Sequence, residues 1–140
     1  MKLHFDFETK HLDNAEVKVL AAYSKKDGGI SQSWRQKELL KQFAMVKSSK
    51  NFTAAAGTTF SFTSSTLQTV IVVGMGEKSK AKAEGIRKAA ANAFKAVAGK
   101  KFDSVVIDVA SFNAINKLPD TMGLMYEAIA MMTYSFDKHL

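Results

Sequence analysis

The chain has 140 residues, a formal net charge of +7 and no cysteine. This length suits one domain with its own hydrophobic core, and the absence of cysteine excludes a disulfide framework and a thiolate metal site. No apolar run approaches the roughly 18 residues that a membrane-spanning helix requires, and the alternating N-terminal residues are unlike a signal peptide. We therefore expect a soluble cytoplasmic protein without a membrane partner.

Two strand patterns open the chain. Apolar and polar residues alternate over residues 3–7, which predicts a half-buried strand. A second strand is predicted over residues 17–23, and the composition of residues 25–29 is that of a turn.

A helix is predicted after residue 33. Ser33 and Gln36 have the spacing of a capping box, in which the two side chains satisfy free N–H groups at a helix start. Trp34 lies between them, and we expect its ring to pack over the buried side of the helix. Four apolar residues share that side: Leu39, Leu40, Phe43 and Val46.

The centre of the sequence predicts a strand–helix–strand unit. The β-branched run 70–73 is typical of a strand buried on both faces, as in parallel sheets. It stops at the glycine turn 74–76, and a helix is predicted from about 79 to 98 with Ser79 as its N-cap. A second apolar run at 105–107 completes a βαβ unit.

Residues 58–63 predict a further strand, because Phe60 and Phe62 alternate there with Thr and Ser. Antiparallel pairing of this strand with the run 70–73 would make the sheet mixed. The predicted fold class is therefore α/β with a mixed sheet.

The last predicted helix follows Pro119 and is apolar on most sides. Such a helix lies either deep in a core or under another chain or domain, and the sequence leaves both alternatives open. Its apolar residues at helical spacing are Met122, Met125, Ala128, Ile129 and Met132.

The glycine turn is the one candidate binding site. Free N–H groups at a helix start bind anions, so Gly74, Gly76 and Lys78 are the predicted anion- or nucleotide-binding residues. The dinucleotide fingerprint needs a third glycine, and Ser79 stands in its place. A tight strand-to-helix turn is the simpler explanation of the same glycines.

No catalytic residues are predicted. None of His4, His11 and His139 has a partner at metal-ligand spacing. Asp103 and Asp108 flank a predicted strand, but no second acid is placed to form a catalytic pair with either. The sequence also lacks a Gly-x-Ser-x-Gly motif.

Two stretches resemble the N-terminal domain of the leucyl (cytosol) aminopeptidases. The first runs from Val70 to Lys78 and leads into an alanine-rich helix that contains Ile86-Arg87-Lys88-Ala89. The second is Glu127-Ala128-Ile129-Ala130 leading into Tyr134-Ser135-Phe136-Asp137-Lys138. The Tyr-x-Phe-Asp-Lys ending is the more distinctive of the two.

The resemblance implies a macro-domain-like three-layer sandwich, with a mixed sheet and helices on both faces. It implies that residues 1–140 form a single non-catalytic N-terminal domain, and that residues 134–140 begin the linker to an absent C-terminal catalytic domain. That domain would hold two divalent metal ions, zinc or manganese, whereas this chain would bind no cofactor. The parent would remove N-terminal amino acids from peptides as a homo-hexamer, with this domain in an assembly or regulatory role.

Two alternatives from other classes remain open. A free-standing macro-like domain would bind ADP-ribose or another nucleotide at residues 74–78. A basic nucleic-acid-binding module would use the positive surface, of which Lys78, Lys80 and Lys82 form the clearest group. The second alternative lacks the arginines and exposed aromatic residues that usually accompany a basic binding patch.

Overall fold

A computed structural model of the chain describes residues 2–6, 15–34, 37–49, 51–65, 67–80, 83–97, 104–112 and 127. Within these ranges the chain forms six strands and two α-helices. The strands are β1 (Lys2–Asp6), β2 (Val17–Ser24), β3 (Ile30–Ser31), β4 (Thr59–Thr63), β5 (Thr69–Glu77) and β6 (Ser104–Asp108). The helices are α1 (Lys37–Ser49) and α2 (Ala83–Val97), and 3₁₀ turns occupy Lys78–Lys80 and Val109–Phe112.

The described strands form one mixed sheet in the order β1-β6-β2-β5-β4. Strands β1, β6, β2 and β5 are parallel, whereas β4 pairs antiparallel with β5 and β3 pairs antiparallel with the end of β2. The predicted antiparallel pair and mixed sheet are therefore confirmed. The unit β5–α2–β6 crosses over β2, which lies between its two strands.

Helix α2 covers one face of the sheet. Alternate residues of β2 and β5 point towards it, among them Val17, Val19, Ile71 and Val73, and all of these are buried. The side of α2 that meets them is rich in alanine, which allows a close approach to the sheet. Its buried members are Ile86, Ala89, Ala90, Ala93, Phe94 and Val97.

Helix α1 covers the opposite face. The intervening strand residues, such as Leu20, Val70 and Val72, belong to a second core that includes residues of α1. Leu39, Phe43 and Val46 are buried as predicted, and Leu40 is half-buried. The ring of Trp34 lies 5.2 Å from that of Phe43, measured between centroids, so it packs over this face. Two helices on opposite faces of the sheet give the predicted three-layer α/β sandwich.

The strand-to-helix junction differs from its prediction. Strand β5 continues through the glycines to Glu77, and α2 begins at Ala83 after a 3₁₀ turn. Ser79 lies within that turn and does not precede α2 as its N-cap. The physical reason is that β5 stays paired with β2 as far as Ser24 and Glu77, while the N–H groups of both glycines find carbonyl partners in segment 54–58.

Several predictions fall outside the described residues. They concern the helix after Pro119, of which only Glu127 is described, the capping residue Gln36, and the linker at residues 134–140. No helix in the described ranges is long and apolar enough to cross a membrane.

Candidate functional site

The end of β5 packs against an irregular segment, residues 54–58. The N–H of Gly74 donates to the carbonyl of Thr58, and the N–H of Gly76 donates to the carbonyl of Ala54, each at 2.8 Å. Ala54 is fully buried and has a positive φ of 60°. The segment is therefore held against the sheet by main-chain hydrogen bonds at both of its ends.

Gly74 permits this close approach because it has no side chain. A Cβ at this position would collide with the carbonyl oxygen of Ala55 and would lie 2.5 Å from Thr58 Oγ1. Gly76 has a φ of +73°, which an L-amino acid rarely adopts. Close packing at Gly74 and the positive φ of Gly76 therefore explain why glycine occupies both positions, without a ligand.

A cavity of about 270 Å³ opens beside Gly74, between the turn at residues 56–57 and the first turns of α2. We call it the glycine cavity. Lys88 carries the only charge among the described residues that line it. Of the three predicted anion-binding residues, Gly74 lines the cavity, and Gly76 and Lys78 do not.

Lys78 lies over an aromatic ring of β2. Its Nζ stands 5.4 Å from the centroid of the Tyr23 ring, which is buried and whose hydroxyl donates to the carbonyl of Ser111 at 3.0 Å. The neighbouring Glu77 forms a 2.9 Å ion pair with Lys80. The hydrogen bond from Lys80 and its positive charge lower the pKa of Glu77.

The structure thus does not gather the three predicted residues around one cavity. The N–H groups of Gly74 and Gly76 already have carbonyl acceptors, so an anion would have to displace the carbonyls of Thr58 and Ala54. Anion binding at Gly74, Gly76 and Lys78 stays a prediction.

A second concave surface was missed by the sequence analysis. This cleft of about 630 Å³ lies between the β2–β3 turn and the end of α1, and both Lys25 and Lys47 line it. Asp27 of the turn, whose carboxylate accepts a 2.8 Å hydrogen bond from the N–H of Gly29, lines it as well, together with Phe52 and Thr53. We call it the lysine cleft.

Lys47 is the perturbed residue of the lysine cleft. Burial, and then the charge of Lys25, lower the pKa of Lys47. Two cations on one concave surface attract anions, and the carboxylate of Asp27 in the same lining offsets part of their charge. No sequence motif could have revealed this pair, because Lys25 belongs to a turn and Lys47 to the last turn of α1.

Catalytic groups do not converge in the described part of the chain. No group of three or more His, Cys, Asp and Glu side chains in that part could hold a metal ion. Asp108 is buried at the end of β6, where its main-chain carbonyl accepts a 2.7 Å hydrogen bond from Ser111 Oγ. Asp103, His11 and His139 lie outside the described residues. The described residues therefore do not fit a two-metal centre.

The described residues form an α/β sandwich domain with two concave surfaces, the glycine cavity and the lysine cleft. The model of the "Cytosol aminopeptidase family, N-terminal domain" matches residues 19–139. Because this match spans most of the chain, the chain belongs to that family, and the predicted membership is confirmed.

One relative is the probable cytosol aminopeptidase of Clostridium perfringens (strain 13 / Type A), which is 30% identical over 105 residues. That match covers 73% of this chain and 21% of the relative, so the chain spans about a fifth of the relative's length. Among solved structures, the bottromycin maturation enzyme BotP aligns with a TM-score of 0.45 and 18% identity. This alignment covers 72% of this chain and 21% of BotP.

Proposed function

We propose that this chain is the non-catalytic N-terminal domain of a metal-dependent aminopeptidase that removes N-terminal amino acids from peptides. The family match over residues 19–139 is the observation that carries the proposal. The relative from Clostridium perfringens is named as a probable cytosol aminopeptidase. The match covers only 21% of that relative, so its remaining length can contain a separate catalytic domain.

Catalysis in the parent would belong to a C-terminal domain that holds two divalent metal ions, zinc or manganese. Such a pair activates a water molecule and stabilises the attacking and leaving groups.

The N-terminal domain would then act in assembly or regulation of the parent. We propose that the parent is a cytoplasmic homo-hexamer and that this domain contacts its own catalytic domain. A scaffold role agrees with the fold, in which a hydrophobic core lies on each face of one mixed sheet.

The proposal is tested by comparing the 140-residue chain with the full-length product of the same gene. Both are assayed for hydrolysis of leucine p-nitroanilide with added zinc or manganese, and bound metal is measured by mass spectrometry. We expect metal-dependent turnover and two bound metals in the full-length protein, and neither in the 140-residue chain. Metal-dependent turnover by the shorter chain would overturn the proposal.

The assembly role has its own test. A full-length variant that lacks residues 1–140 should be compared with the intact protein by sedimentation velocity. We expect the intact protein to be a hexamer and the shortened protein to lose that mass. A shortened protein that remains a fully active hexamer would contradict the role in assembly or regulation.

A further inference from the structure

Strand β4 forms one end of the described sheet, and its outer edge has no strand partner among the described residues. Thr59, Ser61 and Thr63 are exposed, and Phe60 and Phe62 are half-buried. A sheet edge of this kind presents unpaired N–H and C=O groups and invites pairing with another strand.

The hydrogen-bond pattern identifies the groups that face outwards. Gly74 donates to the carbonyl of Thr58, and Ser64 donates to the carbonyl of Gln68, so residues 58 and 64 face β5. Because this direction alternates along an antiparallel strand, the main-chain groups of Thr59, Ser61 and Thr63 face the open edge. Gln42 Nε2 approaches the Thr63 carbonyl at 3.4 Å, as expected for a carbonyl not paired with β5.

This edge lacks the charges that normally prevent contact between sheets. No Asp, Glu, Lys, Arg or His occurs from residue 51 to residue 76, in a chain of which 24% is charged. The opposite end of the sheet is β1, whose sequence includes Lys2, His4 and Asp6. A chain with a net charge of +7 repels its own copies, so an uncharged edge is where two copies can approach each other.

The sequence of β4 is also symmetric. Thr59-Phe60-Ser61-Phe62-Thr63 has the same residue order in both directions. If a two-fold axis passes through Ser61, antiparallel pairing places Thr59 opposite Thr63 and Phe60 opposite Phe62 of the second copy. Each outward N–H then meets an outward C=O once the Gln42 amide releases the Thr63 carbonyl, and the phenylalanines form cross-strand aromatic pairs.

We propose that β4 is a self-association edge, through which two copies of this chain join their sheets into one continuous antiparallel seam. Met45 adds apolar surface beside that seam. It is 75% exposed and follows Gln42, which reaches β4, by three residues on α1. Contact between two copies of this chain through β4 does not depend on the proposed aminopeptidase activity.

The seam is short, so the dimer should be weak. A five-residue strand spans about 17 Å, and contacts that bury less than about 1,200 Å² belong to the transient class. Sedimentation velocity of the 140-residue chain should therefore show a monomer at about 10 μM and a growing dimer fraction towards about 1 mM.

Substitution of Ser61 tests the location of the seam. Ser61→Lys places two lysines opposite each other across the two-fold axis, and we expect the dimer fraction to fall at least tenfold. The matched control is Ser79→Lys, which adds the same charge at an exposed position beyond the end of β5 and should dimerise like the unmodified chain. Circular dichroism checks that both variants are folded.

A cysteine variant supplies a positive signal, because the chain has no cysteine of its own. Directly opposed residues at a hydrogen-bonded position have Cα atoms about 5.5 Å apart, which suits a disulfide. Under mild oxidation, Ser61→Cys should form a covalent dimer at least tenfold faster than Ser79→Cys. Equal cross-linking rates, or a monomer at every concentration, would overturn the proposal and indicate that this edge meets a different segment or partner.

Discussion

The indole Nε1 of Trp34 donates a 2.8 Å hydrogen bond to the main-chain carbonyl of Ala21, in the middle of β2. The N–H of the same Ala21 donates to Ser111 Oγ at 2.9 Å. On this edge of β2, pairing with β6 ends at Val19 and pairing with β3 begins at Tyr23. Two side chains therefore satisfy the buried main-chain groups that lie between two partner strands.

Trp34→Phe should destabilise the protein by leaving the Ala21 carbonyl without a donor. A buried acceptor that loses its partner costs roughly 1–3 kcal/mol in the free energy of unfolding. Trp34→Ala should cost roughly 3–5 kcal/mol, because it also removes the ring that packs on Phe43. Urea unfolding should be followed by circular dichroism, because Trp34 is the only tryptophan. Full stability of the phenylalanine variant would contradict the role of this hydrogen bond.

Ser111→Ala removes the acceptor on the other side of Ala21. We expect a loss of roughly 1–3 kcal/mol in the free energy of unfolding, because the Ala21 N–H and Ser111 are both buried. Ser48→Ala is the control: its hydroxyl donates to Met45 on the exposed side of α1, and its removal should change stability by about 0.5 kcal/mol or less. Equal effects of the two substitutions would refute this account of β2.

Gly74→Ala and Gly85→Ala should change stability in opposite directions. A Cβ at position 74 collides with the carbonyl oxygen of Ala55, so we expect a loss of roughly 1–3 kcal/mol. A Cβ at position 85 meets nothing within 4 Å, and alanine favours the helix there by roughly 0.5–1 kcal/mol. Thermal unfolding of both variants checks the prediction, and a stabilised Gly74→Ala would show that segment 54–58 is not packed as described.

Lys25→Gln should raise the pKa of Lys47 towards its ordinary value of 10.5, because burial and the charge of Lys25 lower it. When the pKa of a lysine is lower in the folded than in the unfolded state, its charged form lowers the free energy of unfolding. The free energy of unfolding therefore increases as the pH rises from the folded pKa of Lys47 towards 10.5, because the folded state loses this proton before the unfolded state does. The substitution should therefore flatten the increase of stability with pH in that window.

The pKa of Lys47 is measured by NMR titration of the lysine side chains. The control is Lys95→Gln, which removes the same positive charge from α2 instead of from the lysine cleft. The control should leave the titration of Lys47 unchanged. If Lys25→Gln also leaves it unchanged, the two ammonium groups do not share the lysine cleft.

The anion site predicted at Gly74, Gly76 and Lys78 has a spectroscopic test. Bound ADP-ribose should shift the amide signals of all three residues. Because the two glycines donate to the carbonyls of Thr58 and Ala54, the signals of that segment should shift together with them. Unmoved signals at an excess of ADP-ribose would reject the site, and shifts confined to Lys25 and Lys47 would place the anion in the lysine cleft.

The sequence by itself determined most of the described elements and the family of this protein. The run 70–73 and the alternation of Phe60 and Phe62 predicted strands. A strand buried on both faces has consecutive apolar residues, and a strand buried on one face has alternating ones. The residues from Val70 to Lys78 carried part of the family resemblance, which the match over residues 19–139 confirmed.

Only the tertiary structure decided the strand order and the surroundings of the glycines. Val19 lies beside Ile71 on one edge and Ile107 on the other, and no local pattern shows pairing between such distant residues. Gly74 looked like part of a ligand loop, and its real neighbours are the carbonyls of segment 54–58. The physical reason is that periodicity records how deeply a side chain is buried, whereas its neighbours are set by long-range pairing.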